Sequence, residues 1–289
     1  MNPKETIKKN LARVDKLIDE NIHFHKGMPL FSWLELSPVD MCNRTCSFCP
    51  KSDDSIAPNT HNHMSDKLYT KLASELKSLD YKGTVMLAGY GEPMMHKNFV
   101  DIVQTFSKVC NTEMTVNGDF LTVKAIEKLD KAGINKIIIS MYDSVEQIEK
   151  FHAMFAKANV TKEKYILRDR WYTENEDFGV KLTNRAGVLD FGHQPEVDAH
   201  KPCYYPHYSM MIDWNGDCYL CTQDWSRRMT TGNIMFSSVV EVWGNATLKK
   251  YRTHLSNGER DLSPCKNCNA VGTLHGEKYQ EEWKKFYAK

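Results

Sequence analysis

Three cysteines stand within eight residues near the start of the chain, in the stretch "MCNRTCSFCP" (41–50). Their spacing, Cys42-x3-Cys46-x2-Cys49, places three thiolates on one loop. A [4Fe–4S] cluster has four iron corners, each usually held by a cysteine thiolate, so three ligands leave one iron open. An open metal position can bind a small molecule directly. The spacing therefore predicts a cluster whose fourth corner receives a reactant, with a zinc site closed by His61 or His63 as the alternative.

Four more cysteines are grouped in the last third of the chain. They follow the pattern Cys203-x12-Gly216-x4-Cys221 and, later, Cys265-x2-Cys268. Four thiolates suit a fully ligated [4Fe–4S] cluster. They equally suit a structural zinc ribbon, and the spacing alone does not decide between the cluster and the zinc site. Nine cysteines with tight spacings in a chain of this length favour metal binding over a disulfide framework.

Composition narrows the class of protein. The 289 residues include 38 Lys and Arg against 37 Asp and Glu, so no basic excess indicates a nucleic-acid partner. The polar start "MNPKETIKKN" has no secretory signal, and no apolar run of about 18 residues predicts a membrane span. We therefore expect a cytoplasmic protein with neither a membrane nor a nucleic acid as its partner.

Predicted strands and helices alternate through the first two thirds of the chain. This order predicts an α/β fold with βαβ units and a parallel sheet, which six strands can close into a partial (β/α)6 TIM-like barrel. The strands are predicted over 31–40, 83–93, 113–119, 135–143, 164–172 and 179–187, and the helices over 65–79, 98–109, 122–133 and 144–158.

The chain divides into three predicted parts. Residues 1–30 form an N-terminal helical extension, with an amphipathic helix over 5–22 that packs on the outside. Residues 31–190 form the barrel, and residues 191–289 form a small C-terminal domain after a polar, irregular stretch. Within the last part we predict a β-hairpin turning at Asn215-Gly216, a helix over 238–255 and a surface helix over 277–289.

The residues that could do chemistry fall where the predicted strands end. The first cysteine loop follows the first strand, "GYGEP" (89–93) ends the second, "VNGD" (116–119) the third and "SMYD" (140–143) the fourth. Because the carboxyl ends of parallel strands meet at one edge, where ligands bind, we expect these motifs to form one site.

These motifs resemble those of the radical S-adenosylmethionine (SAM) superfamily, over about residues 31–190. The resemblance is carried by the Cys42-x3-Cys46-x2-Cys49 motif, with Phe48 before its last cysteine, and by "GYGEP". The latter looks like that family's GGEP motif, with Tyr90 in place of the first Gly. The resemblance implies a [4Fe–4S] cluster on the three cysteines. It implies a SAM-binding set of Phe48, Gly89, Tyr90, Gly91, Glu92, Pro93, Asn117 and Ser140.

The same resemblance implies the chemistry. SAM chelates the open iron, and the reduced cluster passes one electron to the sulfonium. Cleavage of SAM leaves a 5′-deoxyadenosyl radical that takes a hydrogen atom from the substrate, so the site must exclude water. The electron is expected from an external donor of the flavodoxin or ferredoxin type.

The second cysteine group resembles the SPASM/twitch extension of radical SAM enzymes. No cysteine follows Cys268, so the shorter twitch form with one auxiliary [4Fe–4S] cluster is expected. The resemblance assigns Cys203, Cys221, Cys265 and Cys268 as its ligands. Cys218 then takes the place of an ordinary strand residue; its alternative roles are to replace Cys221 or to donate a hydrogen atom. Isolated Cys110 is expected to be a small buried apolar residue.

A small polar substrate, such as a sugar or an aminocyclitol, suits a chain with little beyond two cluster domains. An auxiliary cluster that accepts one electron makes two-electron oxidation the natural reaction. Arg185 is expected to clamp the SAM carboxylate or a substrate oxygen. Arg185, Tyr90 and Cys218 are the candidate catalytic residues, and His207 is a further candidate for the general base. The alternatives are an epimerase with a cysteine donor, a peptide- or protein-modifying maturase, and a zinc- or iron–sulfur-binding protein without activity.

Overall fold

A computed structural model describes residues 3–20, 22–170, 183–190 and 196–289. The helices are α1 (Pro3–Asp19), α2 (Asp66–Ser78), α3 (Phe99–Ser107), α4 (Val123–Lys131), α5 (Glu146–Lys157), α6 (Tyr205–Tyr208), α7 (Val239–Trp243), α8 (Ala246–Ser256) and α9 (Glu277–Tyr287). The strands are β1 (Phe24–His25), β2 (Met28–Pro29), β3 (Trp33–Leu36), β4 (Thr84–Leu87), β5 (Asn111–Val116), β6 (Lys136–Met141), β7 (Tyr165–Asp169), β8 (Ser209–Ile212), β9 (Asp217–Tyr219) and β10 (Thr230–Asn233). In the described part of the chain, no helix is long and apolar enough to span a bilayer.

The main sheet has the strand order β10-β9-β8-β3-β4-β5-β6-β7. The six strands from β8 to β7 are parallel, and β9 and β10 add an antiparallel edge. Helices α2 to α5 connect the strands from β3 to β7, which confirms the predicted alternation. Ser65 caps α2 by accepting a hydrogen bond from the Leu68 N–H, and the apolar face of this helix lies in the main core.

The sixth parallel strand is not the one that was predicted. Residues 179–182 lie outside the described residues, and 183–187 form a turn. Arg185, Ala186 and Gly187 have φ values of 48°, 56° and 86°, which no β-strand adopts. The sixth parallel strand is β8, which pairs with the other side of β3. The sheet therefore includes strands from both sides of residue 190.

The predicted hairpin at Asn215-Gly216 is confirmed by β8 and β9, and Gly216 takes the positive φ that the turn requires. The helix predicted over 238–255 is two helices instead. It breaks at Gly244, because Asn245 caps a new helix by accepting a hydrogen bond from the Leu248 N–H.

Each of the two terminal helices packs one face against the rest of the structure. Ile18 on α1 is buried against Tyr208 and Tyr279, and α9 also buries Trp283. The surface helix predicted over 277–289 is confirmed by α9, which buries one face and exposes the other. The Arg252 guanidinium lies 3.7 Å from the centre of the Trp283 ring and 4.1 Å from that of Trp243, and the two rings meet edge to face.

We expect Arg252→Ala to lower the free energy of unfolding by about 3 kcal/mol. The buried guanidinium donates hydrogen bonds to the carbonyls of Pro206 and Trp243, which would be left without a partner. Urea unfolding of the anaerobic holoprotein measures the change. The control is Lys250→Ala, an exposed position on the same helix; equal shifts in the two variants would contradict this role for Arg252.

Candidate active site and second cysteine cluster

A cavity of about 450 Å³ opens at the carboxyl ends of the parallel strands. The three cysteines of the first loop line it, as the strand order predicts. From the predicted SAM-binding set and the catalytic candidates, the cavity is also lined by Phe48, Gly89, Tyr90, Gly91, Glu92, Asn117, Ser140 and Arg185. Pro93 does not line it and instead begins a short 3-10 turn behind the wall.

Two glycines let the GYGEP turn lie against the cysteine loop. A Cβ at Gly91 would come within 2.5 Å of the Met41 carbonyl oxygen, and Gly89 has a φ of +96°. Tyr90, which stands where the resembled motif has glycine, borders the cavity and extends toward the C-terminal segment. Its hydroxyl donates to the Asp224 carbonyl at 3.1 Å, and its ring lies under the Arg227 guanidinium at 4.6 Å. The tyrosine thereby joins the barrel to the C-terminal segment.

Glu92 connects three of the segments that form the cavity wall. Its buried carboxylate accepts hydrogen bonds from the N–H groups of Met94 (3.1 Å) and Asn117 (2.8 Å). Its own N–H donates to the Met41 carbonyl at 2.8 Å, just before Cys42. Burial raises the pKa of Glu92 to about 7, although both backbone hydrogen bonds favour the charged form. Glu92 therefore sets the relative position of the cysteine loop and the end of β5.

Arg44 fastens the cysteine loop to two strand ends. Its guanidinium binds Asp119 (2.5 and 2.6 Å) after β5 and Asp143 (2.6 and 2.9 Å) after β6. It also lies 5.5 Å from the centre of the Tyr142 ring, which packs against Phe48. This role of Arg44 was not predicted from the sequence. Its signal was an arginine between two cysteines and an aspartate after each of two strands.

The turn around Arg185 joins the first cavity to the second cysteine group. Arg185 lines the first cavity, while the adjacent Ala186 packs on Cys268. The backbone N–H of Asn184 donates to the Asn269 side chain at 2.8 Å, and the Asn269 N–H donates back to the Asn184 side chain at 3.2 Å. One turn therefore contacts both cysteine groups.

The second group surrounds a small apolar cavity. It is lined by Cys203, Cys221, Cys265 and Cys268 together with Leu220, Leu255 and Ala270. A Cβ at Gly272 would overlap the Cys203 sulfur, so only glycine fits there. Burial and the neighbouring cysteines raise the pKa of Cys221 well above its usual range. Cys221 faces this cavity and the next residue, Thr222, faces the first, so a single peptide unit separates the two.

Neither cavity is lined by Cys218, His207 or Cys110. Cys218 is fully buried in the main core and its thiol donates to the Gly216 carbonyl, so it is misplaced for hydrogen donation. Burial lowers the pKa of His207 to about 3, and the ring bonds Ser256 outside the cavity. Burial raises the pKa of Tyr90 well above its usual range, so its hydroxyl stays protonated and is not a base. Cys110 packs against the core, as expected.

A zinc ion held by either cysteine group would require its thiolates to lie close together. Thiolates on one zinc lie within about 4 Å of each other, given Zn–S bonds of about 2.3 Å. Among the described residues, no three or more His, Cys, Asp or Glu side chains are grouped to hold one metal ion. His61 contacts the Met41 sulfur, and neither it nor His63 lines the cavity. Three cysteines line the first cavity and four line the second, which are the numbers that the two predicted iron–sulfur clusters require.

Two further residues of the cavity were missed by the sequence analysis. Glu35 on β3 and Arg13 on α1 both line it. The signal for Glu35 was an acidic residue in the apolar strand "FSWLEL", at the same parity as Trp33, which also lines the cavity. The sequence alone did not indicate that Arg13 lines the cavity, because its position depends on how α1 packs against the barrel.

Comparisons with known proteins match two parts of the chain. The model of the radical SAM superfamily matches residues 36–166, and that of the SPASM iron–sulfur cluster-binding domain matches residues 203–269. A SAM-dependent 2-deoxy-scyllo-inosamine dehydrogenase of Niallia circulans is 32% identical over 256 residues, which cover 86% of this chain and 97% of that protein. A GTP 3′,8-cyclase of Vibrio vulnificus is 28% identical over 145 residues, 46% of this chain and 41% of the cyclase.

Solved structures agree with these matches. The crystal structure of BtrN in complex with AdoMet and 2-DOIA superposes with a TM-score of 0.73 at 29% identity, covering 88% of this chain and 98% of BtrN. The structure of anSMEcpe with bound AdoMet superposes with a TM-score of 0.53 at 13% identity, covering 89% and 96%, and shows the fold alone. The chain belongs to the radical SAM superfamily.

Proposed function

We propose that the chain oxidises an alcohol of a small hydroxylated ring, of the sugar or aminocyclitol class, by radical SAM chemistry. The observation that carries this proposal is the adjacency of the two cysteine-lined cavities, one peptide unit apart at Cys221 and Thr222. A dehydrogenase that removes a hydrogen atom must also dispose of one electron, and the second site lies where an acceptor would be needed. The 2-deoxy-scyllo-inosamine dehydrogenase similarity supports the same reaction class.

The proposed cofactor ligands follow from the cavity walls. Cys42, Cys46 and Cys49 would hold the [4Fe–4S] cluster that binds SAM, and the GYGEP turn with Asn117 and Ser140 would border the SAM molecule. The auxiliary [4Fe–4S] cluster would be held by Cys203, Cys221, Cys265 and Cys268. When bound, SAM and the reduced first cluster supply hydrogen-atom abstraction, and the auxiliary cluster supplies a one-electron acceptor.

Glu35 is the proposed proton acceptor. Loss of a hydrogen atom from the carbinol carbon, a proton from its hydroxyl and one electron converts an alcohol to a ketone, so a base is required. Burial raises the pKa of Glu35 to about 7, against the opposing pull of the Arg185 and Arg168 guanidiniums and a hydrogen bond from Trp33. A base with a pKa near the working pH is the most effective.

Arginines beside Glu35 are placed to bind hydroxyl oxygens of the ring. Arg168 donates to Ser140 at 2.8 Å, while its buried Nε has no partner within the described structure. A substrate or SAM oxygen would satisfy that donor. Arg185 lines the same cavity, so either guanidinium can clamp SAM or the substrate.

The remaining partner is the reductant. Cleavage of SAM requires one electron from outside the chain, and we propose a small flavodoxin- or ferredoxin-type donor. The epimerase alternative loses support from the placement of Cys218, whose thiol is buried in the core rather than in the cavity.

Product stoichiometry tests the proposed reaction. We expect the anaerobic holoenzyme with dithionite, SAM and 2-deoxy-scyllo-inosamine or related ring polyols to form one 5′-deoxyadenosine for each ketone, measured by mass spectrometry. Formation of 5′-deoxyadenosine without loss of two hydrogens from any of these polyols would contradict the oxidation.

We expect Glu35→Gln to lower the rate of ketone formation by about a hundredfold while SAM cleavage persists, because the amide cannot accept the proton. In the unmodified chain the rate should rise as pH increases through about 7, where Glu35 becomes a carboxylate, and fall as pH decreases below it. The variant should lose this dependence. Glu20→Gln, on an exposed position, is the control; an unchanged pH profile in Glu35→Gln would rule out Glu35 as the base.

A further inference from the structure

Helix α1 forms part of the cavity wall although it lies outside both regions that the family models match. Asn10, Arg13 and Val14 line the same cavity as the first cysteine loop. They approach it from the opposite end. Arg13 pairs with Glu113, near the start of β5, whereas the cysteines lie beyond the carboxyl ends of the strands. α1 therefore closes the floor of the barrel.

The floor is held by several independent contacts. Arg13 donates to Glu113 at 2.5 Å and to the Asn10 side chain at 3.1 and 3.3 Å. The Glu113 side chain is 3% exposed, and the same carboxylate oxygen also accepts a longer hydrogen bond from the Asn111 side chain at 3.3 Å, so Arg13 supplies its charged partner. At the other end of the helix, Ile18 is buried and Asp19 accepts a hydrogen bond from the Gly276 N–H at 2.9 Å.

We propose that α1 is the specificity-determining floor of the substrate cavity, with Arg13 and Val14 setting how deeply a hydroxylated ring can enter. The proposal rests on the proposed function, because that function supplies the class of molecule, a hydroxylated ring, that enters the cavity. It places substrate selection on a segment outside the parts shared with the family models.

The chemistry of Arg13 favours a neutral hydroxylated group as the occupant next to it. The guanidinium has five N–H donors, of which three make the hydrogen bonds to Asn10 and Glu113. Two donors remain for hydroxyl oxygens. Because Glu113 neutralises the charge, the pair offers hydrogen bonds without a net charge that would select for an anion.

The test compares ligand affinity at the two ends of the cavity. The SAM-loaded, unreduced holoenzyme is titrated calorimetrically with 2-deoxy-scyllo-inosamine and with a bulkier glycosylated aminocyclitol. We expect Val14→Phe, which fills the floor, to weaken binding of the ring by about tenfold. The double variant Arg13→Met/Glu113→Gln, which leaves no unpaired buried carboxylate, should weaken it by about tenfold as well.

Two measurements distinguish a specific role of α1 in binding the ring from a general effect on the structure. The affinity for SAM should stay within about twofold in both variants, since SAM binds at the other end, and Lys16→Ala on the exposed face of α1 should change neither affinity. Unchanged ring affinity, an equal loss of SAM affinity, or no ring binding by the unmodified chain would overturn the proposal. If ring affinity shifts but no ketone forms, the role of α1 as the floor stands and the proposed reaction is refuted. If ketone forms but ring affinity does not shift, the proposed reaction stands and the role of α1 is refuted.

Discussion

The cavity depends on the hydrogen bonds of Glu92, because a buried carboxylate needs polar partners. It accepts two backbone N–H groups, from Met94 and from Asn117 at the end of β5, while its own N–H donates to the Met41 carbonyl beside Cys42. A buried carboxylate without these donors would be costly. The position of the cysteine loop therefore depends on where β4 and β5 end, because Glu92 follows β4 and Asn117 follows β5. Arg44 adds a second fastening on the solvent side, through Asp119 and Asp143.

A second constraint is that the two cysteine groups must lie close together without merging. The turn at Asn184 achieves this because Arg185 faces one cavity and Ala186 packs on Cys268 of the other. Three successive positive φ values turn the chain sharply enough for neighbouring residues to serve different sites. Tyr90 reinforces the junction by reaching from the GYGEP turn to Asp224. The walls of the two cavities thus share the same short segments.

Much of this arrangement was predictable from the sequence, and what was missed has a physical cause. Local periodicity and caps such as Ser65 placed helices α2 to α5 and the strands between them, and the cysteine spacing predicted both groups. The pairing of β8 with β3 could not be predicted, because a strand's neighbour depends on tertiary packing rather than on its own pattern. The same applies to Arg13: the amphipathic pattern predicted α1, but only docking shows that it faces the cavity.

Iron content in paired cysteine variants tests the central claim, that one chain holds two separate cysteine-ligated clusters in adjoining cavities. We expect about eight irons per anaerobically purified chain, and about four after replacement of Cys42, Cys46 and Cys49 by alanine, with the remaining cluster still visible by electron paramagnetic resonance after reduction. The complementary replacement of Cys203, Cys221, Cys265 and Cys268 should also leave about four, and should retain SAM binding. Zinc in place of iron, or loss of the same cluster from both variants, would contradict two separate clusters.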